Sequence, residues 1–265
     1  MPKSKYQTLN EFILSPFGGS GNLSRDQKYD MMYQNYVKSN SIYIKSYTTI
    51  EDSWYILIRV PSESQKGLIE YDVVLRFFPE TPDIATETHL RNYKIQFFSN
   101  SPSFVYHYAY LYYTNGFLIS NLYNKSDIQT ISKPPTTTNK DMTISYDKSI
   151  YFACRYLTSK QFGKLDKGGS MGTKMPSDKF FGEISSFNDM STYSTILSEE
   201  KKLKREIANA GSISERRELN GKYVAKKSAR ASTINTLTDN GARVKTKIGY
   251  KTPKAKIRPR KPRRH

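Results

Sequence analysis

The chain has 265 residues, 37% of them hydrophobic and 13% aromatic, and carries 42 Lys and Arg against 24 Asp and Glu, a formal charge of +18. That length holds one large domain, or one domain with an extension, around a sizeable core. No apolar stretch approaches the roughly 18 residues of a membrane span. Met1 to Tyr6 lacks the apolar run of a secretory signal, and the single cysteine, Cys154, makes neither an internal disulfide nor a thiolate zinc cluster, which points to a reducing compartment.

In chain order, Phe12, Ile13, Leu14 and Phe17 precede Gly18-Gly19-Ser20-Gly21. Residues 1–23 read as an extended arm with apolar anchors. A helix opens near Ser24 and carries Tyr29, Met32, Tyr33 and Tyr36 at helical spacing. Strands follow at 42–47, 54–60, 69–78 and 93–98, each alternating and rich in β-branched and aromatic residues. Trp54, Ile56, Ile58 and Val60 share one face, and Ile69, Tyr71, Val73, Leu75 and Phe77 another. The polar turn from Pro61 to Gly67 joins these two strands as an antiparallel hairpin. Ser101-Pro102 starts a helix that runs through the tyrosines to Asn115-Gly116, although Tyr106, Tyr108, Tyr110 and Tyr112 also alternate as a strand would. Lys133 to Asn139 is an extended connector. A helix from Asp147 to about Leu157 aligns Ile150, Tyr151, Cys154 and Leu157.

The expected fold is α+β, with an antiparallel sheet of about four strands covered by helices and a body spanning residues 24–160. Residues 161–197 read as a glycine-containing loop region. Residues 198–220 read as a charged helix with one weak apolar stripe at Leu203 and Ile207. Residues 221–265 form a basic tail.

The tail is the candidate functional segment. From Gly221 onward fifteen basic side chains face the single acid Asp239, a balance of +14, which leaves +4 for residues 1–220. Like charges repel, few large apolar residues are available to bury, and Pro253, Pro259 and Pro262 block helix at the end, so the tail is expected to be extended and mobile. Phosphates neutralise such a segment with release of counterions. The expected nucleic-acid contacts are Arg243, Lys245, Lys247, Lys251, Lys254, Lys256, Arg258, Arg260, Lys261, Arg263 and Arg264, gripping backbone without reading bases. A solubilising or localisation tail is the plainer alternative.

Catalytic readings find little support. His89, His107 and His265 have no metal-ligand spacing, and His107 with Cys154 reads as core. Gly168 to Lys174 resembles a phosphate loop, but Thr173 separates Gly172 from Lys174 and no buried strand precedes it. Glu70 and Asp72 share a strand face that reads as exposed and polar. Tyr43, Tyr47 and Tyr55 would stack on bases if they lined an open sheet face; interface and core are the simpler readings. No catalytic residue, metal site or cofactor is expected.

Phe97-Phe-Ser-Asn-Ser-Pro-Ser-Phe104, the tyrosine run after it, Lys133-Pro-Pro135 and Tyr146-Asp-Lys-Ser-Ile-Tyr-Phe-Ala153 together resemble virion structural proteins of tailed bacteriophages of low-GC hosts, over roughly residues 50–160. The resemblance implies a multicopy, non-enzymatic part of head, neck or tail, located in the virion and, during assembly, in the host cytoplasm. Its partners would be other virion proteins and, through the tail, packaged DNA, with no membrane involved. The alternative is a cellular RNA-binding or ribosome-associated protein, for which a body with a basic extension is equally natural.

Overall fold

Strict alternation builds the sheet. In the computed structural model, residues 6–15, 23–39, 41–62, 69–80, 90–158 and 172–239 are described, with the strand segments 244–246 and 249–251. Strands β1 (Tyr43–Ile50), β2 (Ser53–Pro61), β3 (Glu70–Phe78) and β4 (Lys94–Ser99) are antiparallel neighbours, and β5 (Thr173–Lys174) adds in parallel to β1, giving the order β4-β3-β2-β1-β5. The β2–β3 register sets Trp54 opposite Phe77, Ile56 opposite Leu75, Ile58 opposite Val73 and Val60 opposite Tyr71, so the two alternating faces identified in the sequence form one apolar surface.

Both faces of this sheet are buried, not one. The face of Ile56, Val73, Leu75 and Phe97 packs under α6 (Lys148–Tyr156) and α1 (Leu9–Leu14); Phe12 meets Phe97 at 4.6 Å, and the Ser99 and Ser149 hydroxyls lie 3.0 Å apart. The opposite face carries Tyr55, Leu57, Arg59 and Asp72 and packs under α7 (Ser177–Gly182), whose Phe181 sits edge-on to Tyr55 at 5.5 Å. Glu70 and Asp72 are therefore buried, contrary to the exposed polar face expected of them, because the second layer closes over their side of the sheet. Asp72 faces Arg59, and Glu70 accepts a hydrogen bond from the Tyr43 hydroxyl at 3.0 Å. Tyr47 stacks on Trp54 on the face away from Tyr55, so no open tyrosine surface forms.

The chain covers its own sheet edges. Beyond β4, the Ile95 N–H donates to the Gln7 carbonyl, and Phe97 exchanges hydrogen bonds with Phe117 and Ile119. The N-terminal residues expected as an extended arm thus include a capped helix, with Thr8 and Glu11 forming a capping box and Phe12 fully buried. Beyond β1 stands β5. Gly172 has φ +67°, and a Cβ there would lie 3.0 Å from Ile44 and 3.1 Å from the Lys45 carbonyl. This glycine serves close backbone approach.

The helix α2 (Leu23–Lys38) docks on α6 through Asp30, which accepts from the Tyr151 hydroxyl at 2.7 Å and pairs with Arg155. The tyrosine run is helical but broken at Tyr108 into α3 (Pro102–His107) and α4 (Ala109–Thr114), ending at Gly116 with φ +77°. A short α5 (Lys125–Ile131) follows. The 161–197 region departs most from expectation. Its described part holds β5, α7 with buried Phe180, and the start of α8 (Phe187–Asn209), capped by Ser186. A second long helix, α9 (Ile213–Asp239), returns beside it. The charged helix expected at 198–220 is thus two helices that break at residues 210–212, and residues 221–239 of the expected extended tail are helical.

Candidate nucleic-acid interface

The α8–α9 hairpin joins the body to the basic segment, and its packing changes along its length. At the body end, Met190, Tyr193 and Leu197 of α8 meet Ile234 of α9 and Ile69 and Tyr71 of β3 in a small cluster separate from the main core. Burial pushes the Tyr193 hydroxyl up to about 12, with Arg230 opposing the shift and Glu200 adding to it. Next along the pair, Arg230 Nη1 meets Glu200 Oε2 at 2.8 Å, with Glu200 only 4% exposed and Arg230 25%. Farther out, apolar contact thins to Leu203, Ile207, Leu219 and Tyr223, all partly buried, while Ile213 and Val224 are exposed. Charged contacts take over there. Lys226 pairs with Glu199 across the helices, Lys202 with Glu206 and Lys222 with Glu218 along them, and the Lys204 ammonium lies 5.5 Å from the Tyr223 ring centroid.

Of the tail residues expected to contact nucleic acid, Lys245 lies in β6 (Val244–Thr246) and Lys251 in β7 (Gly249–Lys251), an antiparallel pair with Lys245 opposite Tyr250 and Lys251 opposite Val244. Arg243, Lys247, Lys254, Lys256, Arg258, Arg260, Lys261, Arg263 and Arg264 lie outside the described residues. The cations of α9 were not among the expected contacts. The signal that finds them is the helix-forming run from Ala225 to Ala231, read together with the acids of α8 that pair with it.

Two concavities stand out among the described residues of the body. One, of about 150 Å³, lies where the ends of β2 and β3 meet the starts of α3 and α6, and is lined by Ser62, Tyr71, Ser101, Asp147, Ser149 and Ser194 among others. Asp147 is engaged there as the cap of α6: it accepts from the Ile150 N–H at 3.0 Å, from Ser149 at 2.8 Å and from Ser101 at 3.3 Å. Burial holds its carboxyl above the usual range. Ser101 and Ser149 thus serve as donors to a helix-capping carboxylate, and among the described residues of the lining none is a histidine. His107 instead places Nδ1 2.8 Å from the Ser103 carbonyl. The other concavity, of about 480 Å³, is an open groove between Tyr106 and Tyr110 and the connector from Lys133 to Thr138. Thr138 and Asn139 pin that connector by donating to the carbonyls of Tyr106 and His107. Compared with protein-family models, curated proteins and solved structures, the chain matches none.

Two further features bear on chemistry. Among the described residues, no group of three or more His, Cys, Asp or Glu side chains is placed to hold a metal ion, and no helix is long and apolar enough to cross a membrane. Cys154 is fully buried, and burial pushes its thiol well up, which keeps it protonated.

Proposed function

We propose that the chain is a non-enzymatic structural component of a bacteriophage virion, in head, neck or tail, present in many copies and assembled in the host cytoplasm. Its α+β body contacts other virion proteins, and its basic C-terminal extension contacts packaged nucleic acid or an acidic neighbouring subunit. The observation that carries this reading is the partition of charge: a body near neutrality ends in a helical hairpin in which Glu199, Glu200, Glu206 and Glu218 are taken up in internal ion pairs, and the cationic excess lies in α9 and beyond it. A cationic segment needs no built pocket to hold a phosphate backbone, since release of condensed counterions drives the contact.

The test is a salt titration of duplex DNA binding, comparing the full chain with one ending at Asp239, a cut that leaves α9 whole. Loss of most of the salt dependence on truncation supports the tail contact; an unchanged slope refutes it. Quantitative mass spectrometry of purified particles tests the virion role, with tens of copies or more expected. Co-purification with ribosomes in place of particles would favour the cellular RNA-binding alternative.

A further inference from the structure

The α8–α9 hairpin is two-sided in charge. At 3.6 residues per turn, Lys201, Lys204 and Ala208 fall on one stripe of α8, and Arg216, Asn220, Tyr223 and Lys227 on one stripe of α9. The Lys204 ammonium over the Tyr223 ring shows that these two stripes adjoin. They carry four cations and no carboxylate. The opposite side combines Glu199, Lys202 and Glu206 of α8 with Glu215, Glu218, Lys222 and Lys226 of α9, and the Lys226–Glu199 pair joins those stripes. Each lysine on that second side has a carboxylate partner. On the first side Lys201, Lys204, Arg216 and Lys227 are exposed, and none has a carboxylate partner among the described residues. Arg216 reaches only the Ala210 carbonyl, at 3.4 Å.

We infer that the carboxylate-free side of the α8–α9 hairpin is a docking surface for the phosphate backbone of duplex nucleic acid, a rigid contact that precedes the tail. The inference rests on the nucleic-acid reading above and adds a second, folded element to it. From Arg216 to Lys227 the cationic stripe runs about 16 Å, enough to follow several successive phosphates. The exposed apolar side chains Ile213 and Val224 border the stripe singly, and its one aromatic ring is covered by Lys204, so the side presents charge in place of the clustered aromatic anchors of a protein interface. Long cationic side chains without carboxylate partners suit a polyanion whose charges repeat, and they hold backbone without reading sequence. Placing Glu199, Glu206, Glu215 and Glu218 on the far side, with Glu200 buried against Arg230, reduces the repulsion that would otherwise face the phosphates.

The experiment uses the full-length chain and a random-sequence duplex of about 20 base pairs. In one variant Lys201, Lys204, Arg216 and Lys227 are all changed to Gln; in a second, Lys202, Glu206, Glu218 and Lys222 are changed to Gln on the far side; in a third, the four cations are exchanged Lys for Arg and Arg for Lys. The first variant is expected to flatten the slope of log K against log salt by about 3 to 4, at 0.9 per lost phosphate contact. The second should leave it unchanged, and the third should retain it. Circular dichroism confirms that α8 and α9 persist in each. A slope unaltered in the first variant, with binding lost on truncation after Asp239, overturns this inference and leaves the tail reading standing. Absence of duplex binding by the unmodified chain overturns both. Equal affinity for polyglutamate would assign the side to an acidic protein and overturn the inference as well.

Discussion

Arg59 Nε donates to Asp72 Oδ1 at 3.1 Å across the β2–β3 pair, with both side chains 2% exposed. The other Asp72 oxygen accepts the Ser185 N–H at 2.9 Å, and Asn100 links the Asp72 N–H to the Ser185 carbonyl. One ion pair thus fastens the sheet to the segment that leads into α8. Burial, together with the Arg59 charge, holds the Lys45 ammonium below its usual range, and Glu183 meets it at 2.8 Å on the same side of the sheet. Changing Asp72 to Ala removes the principal counter-charge of a buried guanidinium, leaving Glu70 and Tyr43 beside it, and is expected to lower stability by about 3 kcal/mol in chemical denaturation. Replacing both partners, Arg59→Met with Asp72→Leu, should cost less than Asp72→Ala alone; an equal or larger loss would show that the backbone contacts of Asp72 dominate.

Phe12 tests the docking of the N-terminal segment. Its ring is 1% exposed and lies against Phe97 and Tyr146. Phe12→Ala is expected to cost about 3–5 kcal/mol, read as a lowered denaturation midpoint with an unchanged m-value. A loss below 1 kcal/mol would mean that this helix does not hold the edge of β4 in solution.

Asp147 makes stability depend on pH in a defined direction. Burial raises its folded-state pKa above 3.8, so the folded state binds the proton more tightly than the unfolded chain. The resulting stabilisation is complete below 3.8 and is lost as pH rises through the elevated value. Asp147→Asn keeps a helix cap and removes the titration. The stability of the variant relative to the unmodified protein should therefore improve steadily as denaturation is repeated from pH 3 toward neutrality. A difference that does not change with pH would contradict this.

Arg230 holds α9 to α8. Arg230→Ala leaves the Glu200 carboxylate buried with its partner gone, and Glu200 Oε1 already has no hydrogen-bond partner among the described residues. A quarter of Arg230 is exposed, so the expected loss is about 2 kcal/mol, below that of a fully buried pair. Hydrogen exchange should accelerate across residues 213–239 while β2 and β3 keep their protection.

The sheet was legible because alternation in β2 and β3 is unbroken from Trp54 to Val60 and from Ile69 to Phe77, and their pairing follows once one face must be dry. The second dry face was not legible, since Glu70 and Asp72 read as an exposed polar face until α7 and Ser185 after it are placed on that side of the sheet. The start of α8 was available in the spacing of Phe187, Met190, Tyr193 and Leu197 behind the Ser186 cap, but the glycines before it suggested a loop. β5 is only two residues long and carries no periodic signal. In α9, positive charge read as disorder, whereas Glu199 and Glu200, which offset Lys226 and Arg230, lie on a different helix. Of the expected contact residues only Lys245 and Lys251 fall on described strands, and the stripe containing Lys201, Lys204, Arg216 and Lys227 emerges only once two helices are set side by side.

Gln7, Phe117 and Ile119 saturate the rim of β4, and Met175 does the same for the middle of β1 by donating to the Tyr47 carbonyl. Copies of this molecule brought together would find those main-chain groups already engaged and closed to polymerisation as stacked ribbons. Order in such a crowd has to come from side chains, whose matching can be limited in number and brought to a stop.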